Sequence, residues 1–175
     1  MPKGVVVSHG NLIANEHLIR VGFDLRPDDV MVSWLPLYHD MGLIGGMLQP
    51  IYAGILGVLM SPKHFLGRPA RWLEAIHRFR GTVSGGPDFA FRLCQDRVDD
   101  ETAARLDLSS WQIAFSGSEM VRASTMAEFA ERFAPAGFDP RALRPSYGLA
   151  EATLFLTAGQ RGEGMRSLDL DPAIL

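Results

Sequence analysis

Residues 72 to 87 read W-L-E-A-I-H-R-F-R-G-T-V-S-G-G-P. Trp72, Ala75, Ile76 and Phe79 fall at i, i+3, i+4 and i+7, the spacing of a helix with one core-facing stripe. Gly81 ends that periodicity. Thr82-Val83-Ser84 follows as a short β-favouring run, and Gly85-Gly86-Pro87 closes it. A helix that delivers directly into a strand is the repeating step of an α/β fold.

The same alternation extends both ways along the chain. Val5 to Val7 reads as a short β-branched strand, Ser8 as the cap of a helix running to about Val21, and Val30 to Leu35 as a strand stopped by Pro36. Met41 to Tyr52 reads as a buried helix, Ala53-Gly54 as a turn, and Ile55 to Met60 as the next strand. Pro87 suits the first turn of a helix carrying Phe89, Leu93 and Val98. Trp111 to Phe115 is then a strand, and Met126, Phe129 and Phe133 mark the helix after it. This order predicts a single α/β domain with a mainly parallel sheet flanked by helices, whose ligands gather at the carboxyl ends of the strands. Four small, polar or aromatic segments are expected there: Pro36 to Asp40, Ser84 to Pro87, Ser116 to Glu119 and Ser146 to Gly148. Each alone is ordinary turn chemistry; four on one edge of one sheet mark a binding edge.

Composition narrows the function classes. With 175 residues, 47% of them hydrophobic and 21% charged, the chain can bury a real core. A net charge of −3, a pI near 5.9 and the absence of any Lys/Arg-rich run argue against nucleic-acid binding. Cys94 is the single cysteine and lies in an apolar stretch, so it reads as a buried, inert thiol, and with no charged-then-apolar leader the protein reads as cytoplasmic. Met41 to Pro62 carries no charge over the length of a membrane span, but Gln49-Pro50, Gly54 and Gly57 punctuate it, so no membrane span is expected. His9, His17, His64 and His77 show no metal-ligand spacing, and no zinc site is expected.

The chemistry is concentrated in S-Y-G-L-A-E-A-T, Ser146 to Thr153, after the turn signal Arg144-Pro145. An aromatic ring, a position without a side chain, a carboxylate and a hydroxyl within eight residues suit a nucleotide and its metal ion. Taken with P-K-G-V-V-V-S-H-G-N-L (Pro2 to Leu12), P-L-Y-H-D-M-G-L-I-G (Pro36 to Gly45) and S-G-S-E-M-V (Ser116 to Val121), the chain resembles the adenylate-forming ligases. The wordings Y-H-D-M-G-L and Y-G-L-A-E-A-T are similar to the fatty acyl-AMP ligases, which feed acyl chains to polyketide and nonribosomal synthetases. Ala150, where many superfamily members have threonine, fits that branch.

The resemblance implies roles for named residues. Lys3 would stand at the rim of the loop that wraps the ATP phosphates; otherwise it is a solvated lysine near a terminus. Gly117, Ser118 and Glu119 match the segment whose backbone lines adenine, with Met120 in place of the usual proline. Tyr147 matches the aromatic that stacks on adenine, Gly148 the tight position beside it, and Glu151 the carboxylate that binds Mg2+, with the Thr153 hydroxyl nearby. His39 matches a histidine between the acyl tunnel and the phosphate site, where it would orient the substrate carboxylate; Asp40 is a ligand or a helix cap. The glycine-rich helix after it would lie along a long alkyl chain or simply pack in the core.

The implied reaction joins a fatty acid to ATP, with Mg2+, as acyl-AMP and pyrophosphate, and an acyl carrier protein receives the chain. The family's essential lysine and ribose-binding aspartate have no counterpart among these residues. The resemblance thus implies a partial AMP-binding domain over residues 1–175, cut at both ends and expected to adenylate little by itself. Two alternatives stand beside it: part of a long-chain acyl-CoA ligase, or a non-catalytic nucleotide-binding or scaffold module.

Overall fold

The computed structural model describes residues 4–168 and 170. The chain opens with helix α1 (His9–Gly22), and the Ser8 hydroxyl accepts the Asn11 N–H while the Asn11 side chain accepts the Ser8 N–H. Strand β1 (Val30–Ser33) leads to a π-helix (Met41–Leu48) that continues as α2 (Gln49–Ala53) and is stopped by Gly54 at φ 69°. Then come β2 (Leu56–Leu59), α3 (Pro62–Gly67), α4 (Ala70–Phe79), β3 (Val83–Gly86), α5 (Asp88–Arg97), α6 (Asp100–Ala104), β4 (Ile113–Ser116) and α7 (Ala123–Phe133). The last regular elements among the described residues are β5 (Leu143–Gly148), a 3₁₀ turn (Ala150–Ala152) and β6 (Phe155–Ala158).

The six strands lie in the order β2-β1-β3-β4-β5-β6, the first five parallel and β6 antiparallel to β5. Strands β3 and β4 are buried at every position, as the centre of a sheet covered on both faces requires. An aromatic cluster forms much of that cover: Trp72 meets Trp111 edge-on at 5.3 Å between centroids, and Phe91 meets Phe129 likewise at 5.1 Å. The Trp72 indole N–H donates to Ser84 Oγ at 2.7 Å, so this large ring carries no orphaned donor into the core. Cys94 is buried, and burial pushes its thiol far above the ordinary range, which leaves it inert. Among the described residues no helix is long and apolar enough to cross a membrane. The uncharged stretch Met41 to Pro62 is divided among the π-helix, α2 and β2.

Several expectations fail for identifiable reasons. Val5 to Val7 is no strand but an exposed segment without regular structure; β-branched residues favour extended backbone, yet a ladder needs a partner. Arg144-Pro145 is not a turn but the interior of β5. The proline is tolerated because pairing with β6 begins only at Ser146, so on that side no ladder bond needs its missing N–H. Ser84 to Gly86 and Ser146 to Gly148 accordingly lie on strands, not beyond them. In α4 the buried stripe is Trp72, Leu73 and Ile76, and Phe79 is partly exposed under the Arg78 guanidinium, because the chain turns at Arg80. In α5, Pro87 precedes the helix as its cap, and Ala90, Phe91 and Cys94 face the core while Phe89 turns outward.

Candidate active site

Gly117 and Ser118 follow β4, and β5 runs beside them carrying Tyr147 and Gly148. These strands are parallel neighbours in register, Ser116 opposite Pro145, so their carboxyl ends open on the same edge of the sheet. There Ser118, Tyr147 and Gly148 share a slot with Asp40 and Met41 from the start of the π-helix. Its floor is apolar, built from Phe115, Leu154, Phe155, Ile19 of α1 and Phe23 at that helix's C-cap. The slot holds about 60 Å³, enough for the edge of a planar ring but not for a whole nucleotide. Tyr147, 63% exposed, offers a free aromatic face at its mouth.

Two glycines are dictated by neighbours rather than by any ligand. A Cβ on Gly117 would lie 2.8 Å from the Ser146 carbonyl oxygen, and one on Gly148 only 1.8 Å from that of Leu154. Ser118 itself sits at φ 69° and turns its hydroxyl toward the Met41 sulfur at 3.4 Å. A serine held left-handed costs about 1 kcal/mol, a conformation that persists only where its surroundings impose it.

His39 lines a second cavity, of about 200 Å³, with Trp34, Leu35, Tyr38, Leu66 and Phe89. This one is almost wholly apolar, and Phe89 reaches it because α5 turns that residue away from the core. Met41 lines both cavities, so His39 and Asp40 stand on either side of a shared wall. The imidazole is half-exposed; its Nδ1 lies 2.8 Å from Asp40 Oδ1 and 3.2 Å from the Met41 N–H. Asp40 acts as a helix cap, accepting the Met41 N–H at 2.6 Å, while still facing the slot.

Glu119 does not line the slot. Its carboxylate accepts the Phe89 N–H at 2.8 Å, and Asp88 in turn accepts the Arg122 N–H at 2.8 Å, so this loop and the start of α5 bind each other. Glu151 lies on the 3₁₀ turn, exposed, with no hydrogen bond or ion pair to its carboxylate among the described residues. Thr153 is buried at φ 74°, ψ −59°, outside the slot. Lys3 lies outside the described residues. Among the described residues no three metal-binding side chains converge. A carboxylate with no protein partner among the described residues could take a cation such as Mg2+, which binds through one or two carboxylates and substrate phosphates rather than in a protein cage.

Sequence reasoning missed the contribution of α1. Ile19 and Phe23 face the slot, and buried Asn15 bonds the segment that carries Glu151; only a polar residue on the helix's inner face hinted at this.

Comparison with known proteins identifies the family. Residues 1–171 match the family described as AMP-binding enzymes. The chain is 48% identical over 174 residues to a medium-chain fatty acid to acyl-carrier-protein ligase, TtuA of Teredinibacter turnerae, covering 99% of this chain and 27% of that protein. It is 46% identical over 175 residues to the long-chain fatty acid–AMP ligase FadD26 of Mycobacterium marinum, covering 97% of this chain and 30% of that one. The crystal structure of a fatty acyl-adenylate ligase from Legionella pneumophila, solved with acyl adenylate and pyrophosphate, superposes at a TM-score of 0.91. It shares 48% identity over 93% of this chain and 29% of its own. The chain therefore spans between a quarter and a third of the length of these relatives. An α/β sheet with a slot at its carboxyl edge, matched to the family from residue 1 to residue 171, places this chain among the AMP-binding enzymes.

Proposed function

We propose that the protein carrying this chain activates a fatty acid with ATP, releasing pyrophosphate and forming an acyl adenylate that is passed to an acyl carrier protein. One observation carries the reading: an apolar cavity and a slot that admits the edge of a planar ring share the Met41 wall, with His39 on one side and Asp40 on the other. A reaction that joins an alkyl carboxylate to a nucleotide needs that adjacency. The names of the similar ligases support the acyl and carrier assignments.

In this reaction a carboxylate oxygen attacks the α-phosphorus, the bond from that phosphorus to the bridging oxygen breaks, and pyrophosphate leaves with the electron pair. No side-chain nucleophile is needed; the protein supplies position and charge complementarity. Tyr147 would stack on the adenine, with the Gly117 and Ser118 backbone along its edge and Gly148 beneath. The His39 Nε2 has no protein partner among the described residues and is available to a carboxylate or phosphate oxygen. Glu151 would hold Mg2+, whose chemical contribution is to neutralise the phosphate charge.

Carboxylate-dependent exchange of pyrophosphate into ATP by the intact protein tests the reading. Exchange that requires a fatty acid is expected, and acyl-AMP rather than acyl-CoA should accumulate when CoA is present. No exchange with any acyl length would leave a nucleotide-binding module instead. Release of acyl-CoA would favour the ligase class of another similar protein, a putative fatty acid–CoA ligase of Mycobacterium tuberculosis at 41% identity. The 175 residues alone are expected to exchange little.

A further inference from the structure

Buried Asn15, halfway along α1, reaches across to the hairpin between β5 and β6. Its Nδ2 donates to the Ala152 carbonyl at 3.2 Å and to the Phe155 carbonyl at 3.0 Å, and its Oδ1 accepts the Phe155 N–H at 2.9 Å. One side chain thus grips both ends of the four residues from Ala152 to Phe155. Within them Thr153 holds φ 74°, ψ −59°, a γ-turn geometry that is strained for a β-branched residue. The Thr153 N–H bonds back to Ala150 O at 2.9 Å, and Leu149 N–H to Leu154 O at 2.9 Å, so the strained turn and the 3₁₀ turn of Glu151 form one closed unit. Those backbone bonds tie the unit to itself; Asn15 ties it to the body of the domain.

We propose that Asn15 is a positioning residue of the metal-nucleotide site, fixing through the Ala152–Phe155 backbone where the Glu151 carboxylate stands relative to the slot. The proposal rests on the reading of Glu151 as the magnesium carboxylate. Asn15 touches no substrate; it decides whether Glu151 is already in place when Mg·ATP arrives.

Calorimetric titration of ATP into the intact protein, with and without Mg2+, separates these claims. The quantity read is the gain in ATP affinity that Mg2+ confers. In Asn15→Ala that gain is expected to fall on the order of tenfold, while affinity for metal-free ATP stays within about twofold. Asn15→Ser, which keeps a donor and leaves a smaller void, should fall between wild type and Asn15→Ala, and it carries the test should the alanine variant fail to fold. Glu151→Gln should lose at least as much of the gain. A normal Mg2+ gain in folded Asn15 variants, with the gain lost in Glu151→Gln, overturns the positioning role and leaves Asn15 a purely structural tie. A normal gain in Glu151→Gln instead overturns the magnesium reading, and the positioning proposal with it.

Discussion

The two edges of the sheet are built on opposite terms. At the carboxyl edge Tyr147, His39 and Glu151 are exposed or half-exposed, and the backbone is left-handed at Ser118 and Thr153. At the amino edge the polar groups just before β1, β3 and β4 are paired with one another. Arg161 donates to both oxygens of Asp29, at 2.9 and 2.8 Å, and also to Gln112. Thr82 adds a bond to Asp29 at 2.6 Å, and the Arg26 N–H another at 2.7 Å. Burial would raise the Asp29 carboxyl, but Arg161, Thr82 and the Arg26 N–H outweigh it and hold the group below the ordinary carboxylate range. One edge thus leaves polar groups open to solvent and holds two residues in strained backbone; the other pairs Asp29, Thr82, Gln112 and Arg161 across the strand ends.

The largest expected effect lies at the paired edge. Arg161→Ala strands the buried Asp29 charge and should cost about 3–5 kcal/mol of stability, read as a lowered urea midpoint of the intact protein. The ATP affinity of the folded fraction should not change; a selective loss of affinity would break the division between the edges. Because the folded Asp29 value lies below its unfolded one, the stabilisation is present above the unfolded value and lost as pH falls through the folded one. Arg161→Ala should therefore flatten the acid limb of the stability curve.

At the open edge the expectation reverses. Tyr147→Ala removes a ring that is 63% exposed, so stability should hardly move. ATP affinity should drop about 5- to 150-fold, as stacking on a base is worth about 1–3 kcal/mol. Unchanged binding by this variant would show that the adenine lies elsewhere.

This contrast was only half legible in the sequence. The apolar runs at Val83 and Ile113, bounded by Gly81 and Gly117, announced the central strands, and the helix of Met126, Phe129 and Phe133 showed its core face directly. Strand β5 was hidden because Arg144-Pro145 carries the local signature of a turn; its proline is acceptable only through the placement of β6, a tertiary fact. Gly117, Ser118, Tyr147 and Gly148 could be named in advance and do share one slot. Glu119 could not be told from a cavity residue, since its bond to Phe89 N–H depends on how α5 docks. Ile19 on α1 and Phe23 just past its end are apolar like any core residue, and nothing local says that the core they join is the floor of a site.

Glu16 sharpens the comparison from between the edges. It is buried on α1, one carboxylate oxygen has no partner among the described residues, and Gln49, with its amide nitrogen turned toward it, donates to the other and to the Glu16 carbonyl. Burial pushes its carboxyl up to about 7 from an ordinary 4.5. The folded state therefore binds the proton more tightly than the unfolded one. This contribution is fully present below the unfolded value and is lost as pH rises through about 7. Glu16→Gln should remove that pH dependence and raise stability at pH 8 by about 1–2 kcal/mol, measured as a shift in the unfolding midpoint. An unaltered profile would mean that Glu16 ionises without penalty and belongs with the open edge.

The smallest effect isolates strain itself. Ser118 is held at φ 69°, a conformation that glycine adopts freely and serine does not. If the open edge stores strain, Ser118→Gly should stabilise the protein by about 0.5–1 kcal/mol, the relief in the folded state exceeding the entropy glycine adds to the unfolded one. The hydroxyl contact with Met41 Sδ at 3.4 Å is too weak to offset this gain. Since Met41 is the wall between the two cavities, the loosened loop should also weaken ATP binding slightly. Stability and affinity moving in opposite directions at one residue is the signature of strain kept for function. A substitution that lowers both would place Ser118 with the tightly paired groups at the other edge.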